Sequence, residues 1–424
     1  MSLDCLPLYR PLGALACAPT QPRAASTSAT AGHGELFDAV VVGSGAAGIA
    51  TVGNILDHQT CARILWIDHE FLGGRVAKKY RDVSSNTKVS LFLAYINALA
   101  PFREIVQSTP APNAVTTLES LDATAGCRLH YAADMLVMLS EGLKRHPNVH
   151  TLVGTAVAAN LYSEAALWSV QAQEANSAAV RTFHSPALVL CTGSSPVMHN
   201  PSLPTGLDTK HINLDDALDR QTLRQTLPAD KEATVGVIGS SHSAIVVLMD
   251  LYELATTSHP RLRIKWFTRR ALTYAVEMDG WILRDNTGLK GASADFARAH
   301  LEDEALKASP VSRHLEKVNC SVDEAEAYQL HLPRCTHLVQ AIGYRPDPVP
   351  ALQIDNRPLG KLEYDGSTGS FQDGRDQCIP GLHGAGIAFP EKVVDPAGNV
   401  EYAVGMWKFM KYLRRVVPLW GIGK

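Results

Sequence analysis

The sequence FDAVVVGSGAAG occupies residues 37–48. Its first half contains Ala39 to Val42, a short continuous apolar run that is typical of a strand buried on both faces. A turn of the form Gly-x-Gly-x-x-Gly follows directly, and residues 49–56 after it predict a helix. Strand, glycine turn and helix in this order are the context of the dinucleotide-binding fingerprint. The residues predicted to bind a nucleotide here are Gly43, Ser44, Gly45, Ala46, Ala47 and Gly48.

The three glycines of this turn have separate tasks in the fingerprint. Gly43 permits the tight turn, Gly45 lets the backbone approach a pyrophosphate, and Gly48 lets helix and strand pack closely. The next predicted strand ends at Asp68, 20 residues after Gly48, where a carboxylate accepts hydrogen bonds from a ribose 2′-hydroxyl. A purely structural glycine turn is the alternative, but it would not require an acid at this spacing.

A second strand, turn and helix unit begins with TVGVIGSSHSA at residues 234–244. Its fingerprint predicts cofactor contacts from Gly239, Ser240, Ser241 and His242, although His242 also suits an exposed position at a helix start. The following strand ends at Arg269 and Arg270, where the first unit has Asp68. Arginine accommodates a ribose 2′-phosphate, so this unit predicts NADPH rather than NADH. The alternative is a solvated basic strand end.

Between the two units, the sequence YRDVSSNTK at residues 80–88 follows a glycine pair that ends at Gly74. Glycine there suits backbone that passes close to a flat ring or a phosphate, and we include Arg75 in the predicted site. The pattern Tyr-x-x-Val-x-x-Asn-Thr resembles that of the flavin-containing monooxygenases. The resemblance implies that Asn86 lies beside the reactive edge of the flavin and helps to hold the flavin hydroperoxide. The alternative is an asparagine that satisfies its own turn.

Further segments resemble the wider group of flavoproteins with two dinucleotide-binding domains. Their turns between the domains resemble residues 191–196 and 341–346, and their glycine-rich return resembles residues 381–390. The resemblance implies an α/β fold with two Rossmann-like domains, the NADPH domain being inserted in the FAD domain. It also adds the predicted cofactor contacts Val157, Thr192, Gly193, Ile342, Gly343, Gly386 and Ile387.

The expected organisation follows this order along the chain. Residues 1–34 form a disordered segment, with organelle targeting as the alternative to a cytoplasmic protein. Residues 35–194 and 336–424 form the FAD domain, and residues 195–335 form the NADPH domain. Residues 271–299 suit either a substrate-facing lid or an interdomain packing loop. Residues 401–417 predict a closing helix.

Charge, apolar runs and cysteine spacing limit the classes of partner and of site that we expect for this chain. A net charge of −3 gives no electrostatic argument for nucleic acid. No apolar run has the length of a bilayer-spanning helix, so no transmembrane segment is predicted. The eight cysteines include no Cys-x-x-Cys pair and have no metal-ligand spacing, which disfavours a dithiol reductase and a metal site.

The two fingerprints and the resemblance to flavin-containing monooxygenases together imply an FAD-dependent monooxygenase whose partners are NADPH, O₂ and a small organic substrate. NADPH would reduce the flavin, O₂ would add to it, and the resulting hydroperoxide would oxygenate the substrate. An NADPH-dependent reductase of a quinone or another small acceptor is the first alternative. A nucleotide-responsive binding protein without catalysis is the second, because fold alone does not fix function.

Overall fold

The larger of two main sheets contains the first nucleotide-binding unit. The computed structural model describes residues 34–198, 203–204, 206 and 208–423. Apart from Gly34, the N-terminal segment that we predicted to be disordered or a targeting signal therefore lies outside the described residues. This sheet has twelve strands. They are Glu35–Leu36, Ala39–Val42, Ile64–Asp68, Val149–Tyr162, Leu167–Glu174, Val180–Ser185, Leu188–Leu190, Ala351–Ile354, Arg357–Pro358, Leu362–Asp365, Ser370–Asp373 and Cys378–Gly384.

Five neighbouring strands at the centre of this sheet are parallel. In spatial order they are Val149–Tyr162, Ile64–Asp68, Ala39–Val42, Leu188–Leu190 and Cys378–Gly384. Helices cover one face, where Val41 is buried, and an apolar layer that includes Trp168 covers the other, where Val40 is buried. Burial on both faces explains why the first strand reads as a continuous apolar run rather than an alternating one.

The smaller sheet contains the second nucleotide-binding unit. Its five strands are all parallel, and in spatial order they are Lys210–Ile212, His337–Gln340, Ala233–Ile238, Leu262–Thr268 and Leu315–Asn319. The strand His337–Gln340 extends this sheet past residue 335, where the sequence led us to expect the return to the FAD domain. We therefore propose that the chain returns just after this strand.

Four pairs of short strands complete the β structure. They are Ser84–Lys88 with Gly126–Arg128, Ser194–Pro196 with Tyr344–Pro346, Val276–Glu277 with Ile282–Leu283, and Glu391–Val394 with Val400–Ala403. The last of these pairs corrects the expected closing helix over residues 401–417. The structure begins that helix only at Met406, because residues 400–403 form a hairpin with the preceding strand, Glu391–Val394.

Helices pack on both sheets. In the described part of the chain the α-helices are Ala46–His58, Gly74–Lys79, Val89–Asn97, Ala100–Ser108, Ala114–Glu119, Leu129–Lys144, Leu214–Ala217, Arg220–Thr226, His242–Thr257, Gly291–His300, Asp303–Ala308, Glu324–His331 and Met406–Val416. The short 3₁₀ helices are Ser163–Ala165, Pro310–Arg313, Leu332–Arg334 and Val417–Leu419. Both helices that follow a glycine fingerprint are present, and the first is longer than the predicted residues 49–56.

No single helix of the described chain is long and apolar enough to cross a membrane. The consecutive helices Val89–Asn97 and Ala100–Ser108 satisfy length and composition only as a pair, and they are bent by 101°. Among the described residues, no group of three or more His, Cys, Asp or Glu side chains could hold a metal ion.

Candidate cofactor and active site

Four segments of the predicted FAD site leave the same edge of the larger sheet. The fingerprint follows Ala39–Val42, Asp68 ends the neighbouring strand, and Thr192 follows the strand on the other side, Leu188–Leu190. The turn to Gly386 follows the next strand. Because these strands are parallel, their carboxyl ends meet at one edge, which is where doubly wound folds bind nucleotides.

Two of the three glycines of the first fingerprint, Gly43 and Gly48, stand where no side chain fits. Gly43 has φ of 107°, and a Cβ atom on it would lie 2.2 Å from the carbonyl oxygen of Cys191. A Cβ on Gly48 would lie 1.9 Å from the carbonyl oxygen of Gly43. The indole of Trp66 in the second strand donates to that same Gly43 oxygen at 2.9 Å. The turn is therefore fixed from both neighbouring strands.

Asp68 ties the end of its strand to the fingerprint. One carboxylate oxygen accepts from the Ser44 backbone N–H at 2.8 Å, and the other accepts from Glu70 and Phe71 N–H, each at 2.8 Å. Nearby, the hydroxyl oxygens of Ser44 and Thr192 are buried and have no hydrogen-bond partner in the part of the chain that the structure describes. Buried polar atoms require partners, and the ribose and pyrophosphate of FAD would supply them.

Two backbone loops approach the fingerprint closely. A Cβ on Gly74 would lie 2.7 Å from the Cα of Gly45, and one on Gly386 would lie 2.7 Å from the Cβ of Ala47. Ile387, next in the chain, is 38% exposed. Val157 lies in the strand beside Asp68, at a register shift, and is 36% exposed. Both of these predicted contacts are therefore accessible to a ligand.

The second unit repeats the geometry of the first. Trp266 donates to the carbonyl oxygen of Gly239 at 2.7 Å, as Trp66 does to Gly43. Gly239 has φ of 128°, and a Cβ on it would lie 2.3 Å from the carbonyl oxygen of Ala341. The carboxyl edge of the smaller sheet borders a cavity of about 580 Å³. Its lining includes the predicted contacts Gly239, Ser240, Ser241, Arg269, Arg270, Ile342 and Gly343.

The cavity of the smaller sheet is lined by two arginines and one glutamate. Arg269 and Arg270 line it, but Glu324 lines it as well and accepts from Arg269 at 3.4 Å. The phenol of Tyr328 donates to Glu324 at 2.6 Å. Glu324 was not predicted from the sequence, because it begins a helix 54 residues after Arg270 and follows no fingerprint spacing.

Arg75 lies in a polar network between the first and second units rather than free at the cofactor edge. It pairs with Asp215 and donates to the Ser195 hydroxyl at 2.7 Å. Tyr80 donates to Asp215 at 2.7 Å, and Ser195 donates to Asp347. Burial, reinforced by Tyr344 and Asp215, raises the pKa of Tyr80, which keeps its phenol protonated as a donor. No sequence pattern indicated this pairing.

Asn86 lies in the strand Ser84–Lys88 and is exposed. The helix Gly291–His300 begins beside it, since a Cβ on Gly291 would lie 3.9 Å from the Asn86 Cα. In the same helix, the Ser293 hydroxyl hydrogen-bonds His242 Nδ1 at 2.8 Å. Burial lowers the pKa of His242, which favours its neutral form. Asn86 and the start of the second fingerprint helix therefore both meet this one helix.

Comparison with known proteins identifies the family. No protein-family model matches the sequence. The chain is 50% identical to monooxygenase AgnR1 from Paecilomyces divaricatus over 383 residues, which cover 90% of this chain and 97% of that relative. This chain belongs to the same monooxygenase family. The family predicted from the motif at residues 80–88 is thereby confirmed.

Solved structures extend this family assignment to the fold. One of them is ornithine N-hydroxylase from Kutzneria sp. 744, in a structure with reduced FAD, NADP⁺ and L-ornithine. It aligns with a TM-score of 0.56 and 14% sequence identity, and the alignment covers 91% of this chain and 98% of the hydroxylase. A cyclohexanone monooxygenase mutant from Rhodococcus sp. Phi1, bound to NADP⁺, aligns with a TM-score of 0.54 and 15% identity over 91% and 85%. These likenesses confirm the predicted two-domain α/β fold, and the cofactors in the two structures agree with the predicted pair.

Proposed function

We propose that this monooxygenase binds FAD at the larger sheet and NADPH at the smaller one, and oxygenates a small organic substrate with O₂. The observation that carries the proposal is the arrangement of the two nucleotide edges within one compact unit, residues 35–424. Two crossing segments, Ser194–Pro196 and Tyr344–Pro346, pair as antiparallel strands between the two sheets. A cytoplasmic location is part of the proposal.

The residues at each edge bind and orient the cofactors. The first fingerprint and Asp68 hold the pyrophosphate and ribose of FAD, and the Ser44 and Thr192 hydroxyls gain partners from it. The cavity of the smaller sheet holds NADPH, with Arg269 and Arg270 at its 2′-phosphate. The bound flavin supplies the redox and oxygen chemistry. The protein's tasks are to bring the two cofactors together and to exclude water.

Rapid-mixing absorbance tests the proposal directly. The purified protein would be reduced with NADPH without oxygen and then mixed with O₂. We expect bound flavin, rapid bleaching, and a transient blue-shifted absorbance before the oxidised spectrum returns. Purification without bound flavin, and without binding of added FAD, would overturn the proposal. Direct return to the oxidised spectrum, with and without candidate substrates, would favour the reductase alternative.

Asn86 is proposed as the residue that supports oxygen activation at the flavin edge. Replacement of Asn86 by Ala should increase the amount of peroxide formed per NADPH by about tenfold. The loss of one well-positioned hydrogen bond costs about 1.4 kcal/mol, which corresponds to a factor of ten. Anaerobic flavin reduction should stay within twofold of the wild type. Asn176→Ala, in an exposed turn, is the matched control. Slower reduction with unchanged peroxide would contradict this role.

A further inference from the structure

A segment that follows the second fingerprint unit contacts the last part of the chain. We call residues 271–290 the insert. It contains the hairpin of Val276–Glu277 and Ile282–Leu283, and Tyr274 bridges to Leu289 at its base. The insert runs from Arg270, at the NADPH cavity, to the helix that begins at Gly291 beside Asn86. Its two ends thus lie at two proposed cofactor contacts.

Glu401 fastens the insert to the FAD domain. Its side chain is on the strand Val400–Ala403, in the hairpin that follows Gly386 and Ile387, and the residue is only 6% exposed. Among the described residues, its hydrogen-bond donors all come from the insert. One oxygen accepts from the backbone and side-chain N–H groups of Asn286, both at 3.1 Å, and the other accepts from Thr287 Oγ1 at 2.5 Å.

Lys408 makes a second set of contacts with the insert, beside those of Glu401. Its ammonium group donates to Asn286 Oδ1 at 2.6 Å and to the Asp285 backbone oxygen at 3.2 Å. It also pairs with the Asp285 carboxylate at 2.6 Å, and Lys290 within the insert pairs with the same carboxylate. Two acids and two lysines balance one another here. This cluster therefore has no excess charge that would indicate a separate ion-binding site.

Detachment of the insert would remove three donors from a buried carboxylate. Such a loss is costly because an ionised group out of water needs its hydrogen-bond partners. The attached state is therefore strongly favoured. In that state the insert also fixes the helix Gly291–His300 that follows it. The start of this helix lies beside Asn86, and its Ser293 hydroxyl hydrogen-bonds His242 at 2.8 Å.

We propose that Glu401 is a positioning residue that keeps the insert closed over the place where the two cofactors meet. The inference rests on the proposed function. When the insert is closed, NADPH, H⁺, O₂ and substrate give NADP⁺, water and the oxygenated product. When it is loose, water reaches the flavin edge, and NADPH, H⁺ and O₂ give NADP⁺ and hydrogen peroxide. Glu401 thereby controls the fraction of NADPH oxidation that is coupled to oxygenation of the substrate.

Glu401→Gln tests this role, because glutamine keeps the size of the side chain and removes its charge. We expect backbone hydrogen exchange over residues 271–290 to rise at least tenfold in the purified protein, a readout that needs no catalysis. Peroxide formation from NADPH and O₂ without substrate should rise at least threefold. Anaerobic flavin reduction should stay within twofold of the wild type.

Two further variants make the test specific. Glu391→Gln, in the same hairpin but paired with Arg415 at 2.9 Å, should change neither readout. Thr287→Val removes one donor from the insert and should shift both readouts in the same direction but less, which keeps the test valid if Glu401→Gln does not fold.

Unchanged hydrogen exchange and unchanged peroxide formation in both variants, with a wild type that oxidises NADPH, would overturn the inference alone. A wild type without bound flavin or NADPH oxidation would instead overturn the proposed function.

Discussion

At the scale of single residues, opposite charges at equivalent strand ends distinguish the two nucleotide sites. Asp68 ends its strand in the first unit, and Arg269 and Arg270 follow the corresponding strand in the second. A carboxylate would repel the 2′-phosphate of NADPH, whereas a guanidinium group binds it through charge-assisted hydrogen bonds. Glu324 pairs with Arg269, but the Arg269 side chain is 61% exposed, and exposed ion pairs of this kind are weak. Arg269 is therefore available to a phosphate.

Replacement of both Arg269 and Arg270 by Ala should raise the KM for NADPH by roughly 10- to 100-fold and leave that for NADH within about threefold. Each charge-assisted hydrogen bond contributes about 1.5–3 kcal/mol, and 1.4 kcal/mol is a factor of ten in affinity. Steady-state rates with the two nucleotides measure the difference. The control replaces Arg261 and Arg263, exposed at the opposite end of the same strand. An equal effect on both nucleotides would refute the assignment of the 2′-phosphate.

The positions of Asp68, Arg269 and Arg270 at strand ends could be predicted from the sequence, because each apolar strand that follows a fingerprint helix ends at these charged residues. The contacts of Glu324 and Glu401 could not be predicted in this way. Each comes from a distant element and reaches its partners only after the chain has folded. A local pattern contains no information about such an approach, so no spacing rule could have identified either residue.

At the scale of elements, the strand, turn and helix units were predicted correctly because local physics specifies them. A continuous apolar run needs burial on both faces, and the first glycine of each turn has a positive φ. The hydrogen bonds of Trp66 and Trp266 to equivalent glycines show that two local units of different sequence reach the same geometry.

The incorrect start of the last helix has a different cause. Over residues 400–403, Glu401 and Ala403 are buried while Val400 and Tyr402 are exposed, which is the alternation of a strand. The strand exists because Glu391–Val394 pairs with it. Gly405, with φ of 143°, separates the strand from the helix that begins at Met406. Pairing within this hairpin outweighed the helical spacing of the apolar residues downstream.

At the scale of the whole molecule, the geometry between the two sheets depends on a network around Asp215. Asp215 is 4% exposed, pairs with Arg75 of the first unit and accepts from Tyr80 at 2.7 Å. Ser195, on one crossing segment, links Arg75 to Asp347, just beyond the other. These contacts join the helix after the glycine pair to both segments that connect the sheets. We expect them to set the distance over which hydride must pass from NADPH to the flavin.

Asp215→Asn should slow anaerobic flavin reduction by NADPH about tenfold while FAD remains bound and the Kd for NADPH changes less than threefold. The substitution keeps an acceptor for Tyr80 but removes the nearer counter-charge of Arg75 and leaves Asp347 at 3.8 Å. Because the Arg75 side chain is 32% exposed, solvent limits the cost to unfolding to about 1–2 kcal/mol, below that of a fully buried pair. The matched control is Asp216→Asn, on the same helix, which loses only an exposed pair with Lys79 at 3.2 Å. If Asp215→Asn lowers the Tm but flavin reduction proceeds at the wild-type rate, the network stabilises the fold without setting the distance between the cofactors.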